Sequence, residues 1–233
     1  MIARWTLCLG LIAGPAWADV LPACSAQTAV GAACWLSLDQ LRPTQPGVGL
    51  LQVADESKKL AKLQARGDEA LTAYVVKKHI PVVIGPDGGF WLVDRHHLSR
   101  ALWNNGVRQA PVSIEGRLEN ADTFWQDMQA RHWAWLRDER GNMVASSSLP
   151  KRIGDLPDDP YRSLAGYAED QGLFRKNGQV FFIEFAWARY LGEKLGWAPV
   201  TRDTLKQRLQ EARQWACQPE AADLPGYPGA ACH

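Results

Sequence analysis

Along this chain the apolar and polar positions change period several times, and each change predicts an element. Behind a short basic start, Trp5 to Ala13 is one apolar run. Ala26 to Trp35 is small and weakly patterned and predicts a loop. Ser37 to Pro46 predicts a turn of helix and then an extended segment, because proline bars helix at the residue before it. Gly47 to Val53, short and apolar, predicts a strand. From Asp55 to Arg66 the spacing is helical, with Leu60 and Leu63 inward and Lys58, Lys59 and Lys62 outward. Asp68 to Lys78 predicts a second helix.

The middle of the chain is punctuated more sharply. His79 to Ile84 is a β-branched run that predicts a strand. Gly85-Pro86-Asp87-Gly88-Gly89 predicts a tight turn, and Phe90 to Val93 the returning strand of a hairpin. Asp94 then opens a helix that stops near Asn104-Asn105, with Gly106 as its left-handed C-terminal residue. Pro111 to Ile114 predicts another strand. Beyond it the pattern is mostly helical. Asp122 heads a helix to about Trp135, and Asp158-Asp159-Pro160 heads a second, with an acid at the cap and proline at the first helical position. Gln179 to Leu195 is strongly apolar and expected to be buried, and Thr201 to Ala216 is amphipathic. The fold class expected is therefore α+β: a small mixed sheet with helices, followed by a helical C-terminal extension. The division expected is a leader over 1–18, an α/β core over 19–120, a helical extension over 121–216 and an irregular tail over 217–233.

The basic start, the short apolar run and Ala16-Trp17-Ala18 together fit a secretory signal peptide cleaved after Ala18. The run is too short to span a membrane, and no later segment is long and apolar enough to do so. Removal of Arg4 takes the basic residues from 26 to 25, equal to the 25 acids. A neutral chain has no global field for DNA or an anionic membrane, so any such contact is local. Loss of Cys8 leaves Cys24, Cys34, Cys217 and Cys232. An even number in an exported chain predicts two disulfides. Cys24–Cys34 with Cys217–Cys232 is the simplest pairing, and a staple joining the two ends is the alternative. The tryptophans left after cleavage serve either core packing or stacking on sugars or bases, and their helical spacing favours the core.

The candidate chemistry gathers at the turn Asp94-Arg95-His96-His97, where a strand becomes a helix. A helix N-terminus offers unpaired N–H groups and partial positive charge, which suit phosphate. Asp94 is either a helix cap or a metal ligand and orienter of a histidine. His96 and His97 suit general-base catalysis or metal binding. Arg95 and Arg100 suit a phosphate clamp, with a solvated helix face as the other reading of Arg100. A second constellation comprises Asp158, Asp159, Tyr161 and Arg162, with Glu184 in an apolar helix. The paired acids either hold a divalent metal or cap the helix. Glu184 is either a catalytic acid or base or the mate of a buried arginine. A metal site would draw on Asp94, His96, His97 and Asp158.

These segments resemble the ParB/sulfiredoxin-like superfamily, and more closely its ParB-like nuclease branch. The resemblance spans about Leu36 to Leu195. It rests on Leu41-Arg-Pro-Thr44-Gln, Val82-Val-Ile-Gly-Pro-Asp-Gly-Gly89, Val93-Asp94-Arg95-His96-His97-Leu98, Phe124-Trp125-x-x-Met128, Leu149-Pro150, Asp158-Asp-Pro-Tyr-Arg-Ser-Leu-Ala-Gly166 and Glu184-Phe-x-Trp187. It implies a phosphate-handling site at the head of the Asp94 helix. Arg95 stands where many relatives have a small residue. The expected function is phosphodiester hydrolysis outside the cytoplasm, periplasmic or secreted, with a divalent metal ion as the candidate cofactor. The partner would be a nucleic acid or a small phosphorylated ligand. The alternative is a non-catalytic protein that binds an anionic ligand in the same pocket.

Overall fold

The computed structural model describes residues 21–176 and 180–229. The expected leader and Cys232 lie outside them. Five strands and seven α-helices follow in the order β1 (Ala33–Ser37), β2 (Leu41–Arg42), α1 (Leu50–Gln64), α2 (Asp68–Lys78), β3 (Ile80–Ile84), β4 (Phe90–Leu92), α3 (His96–Asn104), β5 (Gln109–Arg117), α4 (Phe124–Ala130), α5 (Pro160–Asp170), α6 (Ile183–Lys194) and α7 (Leu205–Ala216). The strands form one mixed sheet ordered β1-β5-β3-β4-β2. β3 is central and apolar at every position, as a strand covered on both faces must be. Val82 and Ile84 point into the cluster beneath α1, α2 and α3. Val83 points the other way, into a smaller cluster with Phe124 and Met128 of α4. The fold is thus α+β, with the late helices α5, α6 and α7 packed around their own buried cluster of Leu164, Phe174, Trp187 and Leu191.

Three elements differ from expectation. Ala33 to Trp35, expected in a loop, belong to the edge strand β1, where Cys34 and Leu36 alternate inward and Cys34 pairs with Val112 of β5. Gly47 to Val53 is not a strand. Val48 makes a single bridge to Asp158, and α1 begins at Leu50. The apolar run arises because this first turn is covered on two sides: Leu51 packs into the late-helix cluster and Val53 into the sheet cluster. The helix expected to reach Trp135 stops at Ala130. His132 there takes a left-handed φ of 58°, and the Trp133 N–H donates to the Met128 carbonyl at 2.8 Å. That is a Schellman ending with histidine where glycine is usual.

Cys24 and Cys34 form a disulfide across 10 residues. Cys217 is also disulfide-bonded. Among the described residues no helix is long and apolar enough to cross a membrane.

Candidate functional site

Two histidines at the head of α3 hold the site's geometry, and two distant loops hold the histidines. The Thr44 N–H donates to His96 Nε2 at 3.3 Å, and the Gly49 N–H donates to His97 Nε2 at 3.2 Å. Thr44 is itself pinned, since its hydroxyl donates to the Leu92 carbonyl and its carbonyl accepts from the Trp135 N–H. A nitrogen that accepts cannot carry the proton, so each neutral ring holds its hydrogen on Nδ1. Burial pushes the His96 pKa down to about 3, and the positive charge of Arg162 adds to the effect. His97 is held well below the ordinary imidazole value by burial, then by Arg162, His96 and Lys176. At neutral pH both are uncharged N–H donors.

The α3 N-terminus is formed differently from expectation. Arg95 takes a left-handed φ of 67°, and the Asp94 carboxylate accepts from the Arg95 N–H at 2.7 Å rather than capping the first turn. Both side chains are exposed and line the rim.

Arg162 and Glu184 are brought to the same place from α5 and α6. Arg162 Nη2 lies 3.2 Å from Glu184 Oε1, and the guanidinium carbon lies 5.1 Å from the centre of the Phe185 ring. Lys176 joins Glu184 at 2.5 Å and Glu169 at 2.7 Å. Burial pushes the Glu184 pKa up, but Arg162 and Lys176 outweigh it, so the net shift is down. Among the described residues, Arg162 Nε is buried without a hydrogen-bond partner, as is Gln52 Oε1. Arg162, Glu184, His96, His97, Asp94 and Arg95 line one cleft of about 910 Å³. The α/β core and the helical extension therefore share it.

The remaining candidates lie outside that lining. Asp158 accepts from the Leu50 N–H at 2.8 Å and so caps α1. Asp159 accepts from the Arg162 N–H at 2.8 Å and caps α5. Burial raises its pKa to about 6, against the opposing backbone bond and charge of Arg162. The Tyr161 hydroxyl donates to the Ala198 carbonyl at 2.8 Å inside the late-helix cluster. Arg100 turns away and donates to the Leu156 carbonyl at 2.9 Å, tying α3 to the loop before α5. Among the described residues no three His, Cys, Asp or Glu side chains gather to hold a metal ion. Both Nε2 lone pairs are engaged and Asp158 faces α1, so Asp94, His96, His97 and Asp158 do not fit a metal as placed.

Sequence reasoning missed Gln52, Lys176, His132 and Phe181, all of which line the cleft. Only Lys176 carried a local signal, a basic pair with Arg175 before the apolar run. The others are reached only through the fold.

Comparison with known proteins agrees with this architecture. The family model described as "Putative ParB-like nuclease" matches residues 34–193. A solved structure, the crystal structure of protein Atu1540 from Agrobacterium tumefaciens, is 34% identical with a TM-score of 0.71. The match covers 85% of this chain and 98% of that one, and fits a ParB/sulfiredoxin-like fold. A search of curated proteins finds no match.

Proposed function

The chain belongs to the ParB-like nuclease family, and on that footing we propose that it is a phosphodiester hydrolase acting outside the cytoplasm. One observation carries the reading. His96 and His97 as neutral rings, the Arg162 guanidinium and the head of α3 line one cleft that also carries carboxylates without a salt bridge, Asp94 among them. A phosphate between His96, His97 and Arg162 receives hydrogen bonds and positive charge without needing a protonated histidine. Arg95 at the rim adds charge where the chain enters.

Of the carboxylates lining the cleft, Glu184 and Glu169 are held by cations, Asp55 by Arg202 and Glu56 by the Tyr74 hydroxyl, while Asp170, also without an ion pair among the described residues, sits at the C-terminal end of α5. Asp94 makes no ion pair among the described residues and stands beside the phosphate donors. It is the group we assign to the attacking water. It takes the water's proton as the new P–O bond forms, and the ester P–O bond breaks to release the leaving alkoxide, which takes a proton from solvent. The histidines act as donors to the non-bridging oxygens, because their lone pairs are already used. The secretory start and the Cys24–Cys34 disulfide support action in an oxidising compartment.

A second reading is favoured by that same use of Nε2: neither ring is placed as a base, which suits a protein that binds an anionic ligand without turning it over. Oxidised protein should be assayed with a labelled oligonucleotide and a generic phosphodiester, with and without divalent cations, beside Asp94→Asn and Arg162→Lys. Turnover lost in Asp94→Asn with binding retained supports hydrolysis. Saturable binding without turnover supports the second reading. Neither binding nor turnover from folded protein sinks both.

A further inference from the structure

One wall of the cleft is aromatic, and its construction points to a ligand. His132 occupies the left-handed position that ends α4, where glycine would serve the backbone with less steric cost. Phe182, just before α6, is also left-handed at φ 58°. These two bends set the Phe181 ring flat on the His132 ring, with centroids 4.3 Å apart and planes 14° from parallel. Phe181 lines the cleft and is left 55% exposed, next to Val180 at 41%. The wall is continuous with the charged floor. His132 meets Phe182 at 6.3 Å, Phe182 meets Phe185 at 6.0 Å, and Arg162 lies over Phe185 at 5.1 Å.

We propose that the cleft takes single-stranded nucleic acid, stacking an unpaired base on Phe181 while an adjacent phosphate sits on His96, His97 and Arg162. This rests on the phosphate reading above and names its substrate class. A planar ring presented face-on accepts any base, and stacking is the main sequence-independent grip on a single strand. The net charge of the chain is only +1, so charge alone supplies little affinity and a second contact is needed. Bases in a duplex are already stacked and paired, so they present edges to this wall rather than faces.

The test is fluorescence anisotropy of the full oxidised chain with three probes: a mixed-sequence single strand, a duplex of that sequence, and an abasic strand carrying the same phosphates. The single strand should bind at least about tenfold more tightly than the other two, since one stacked base contributes on that order. Phe181→Ala should weaken single-strand binding about tenfold, leave the abasic strand unchanged, and be restored by Phe181→Tyr. Equal binding of all three probes, or an unchanged single strand with Phe181→Ala, overturns the stacking proposal while leaving the phosphate site standing. A mononucleotide that displaces the strand at equal concentration overturns it in favour of a free nucleotide. Binding of none of the probes overturns both.

Discussion

The backbone N–H of Gly49 donates to Nε2 of His97, so the residue just before α1 also sets the tautomer of a histidine at the head of α3. The same glycine allows α1 to press against α5. A Cβ on it would lie 2.5 Å from Ser163 Oγ and 2.8 Å from the Ser163 nitrogen. Fold and site meet at this residue.

Gly49→Ala is therefore expected to destabilise the protein by about 1–3 kcal/mol, the usual cost of overfilling a packed contact. Urea denaturation measures the loss. Ser163→Ala removes only the hydroxyl and leaves the backbone clash, so it should restore no more than part of the stability. Full stability of Gly49→Ala would show that the α1–α5 contact is looser than described.

The two histidines predict a particular pH response. Their folded pKa values lie below the unfolded value of about 6.5, with His96 at about 3. Between these limits the unfolded chain binds more protons, so their contribution is complete above about pH 6.5 and is lost as pH falls toward 3. Asp159 acts in the opposite sense, because its raised pKa favours the folded state most when it is protonated below about pH 4 and loses that contribution as pH rises through about 6. Nitrogen-15 NMR of the imidazoles should show Nδ1–H tautomers for both rings from pH 5 to 8. His96→Gln, which keeps an acceptor for Thr44, should flatten the acid limb. Titration of either ring near pH 6.5 would contradict the structure.

Glu184→Gln leaves the Arg162 guanidinium largely buried without its carboxylate. Breaking one partner of such a pair costs about 3 kcal/mol or more, and chemical denaturation should show a loss of that order. The same variant frees Arg162 for an anion, so phosphate affinity should not fall with stability. Parallel loss of both would indicate that Glu184 mainly positions Arg162.

The Cys24→Ser/Cys34→Ser double variant should lower stability by about 3 kcal/mol, the chain-entropy value for a loop of this length. Thermal melts of the oxidised double variant beside the oxidised parent measure it. Phosphate binding should persist in protein that stays folded, because the disulfide anchors β1 at the sheet edge, away from the cleft lining.

Much of this protein was legible in its residues because the deciding forces are local. Asp68 to Lys78 is helical over the expected bounds, and Asp159-Pro160 caps and starts α5. The hairpin turn at Gly85–Gly89 forms with Gly88 at positive φ, and Gly106 ends α3. Such signals depend on neighbours a few residues away. The family motifs, read in order, likewise agreed with the comparisons.

What the tertiary structure alone decided lies where partners are distant. The histidine lone pairs are taken by backbone groups 48 and 52 residues away, which turns two apparent bases into donors. Asp158 and Asp159 each cap a helix, and Asp158 caps one that begins 108 residues earlier. Gly47 to Val53 is part helix because two separate clusters cover its apolar side chains, a burial that periodicity cannot distinguish from a strand's. The Phe181–His132 stack joins two loops along one wall of the cleft. Local propensity chooses elements, but a polar atom's role follows from what occupies its lone pair, and here that occupant comes from a different part of the chain.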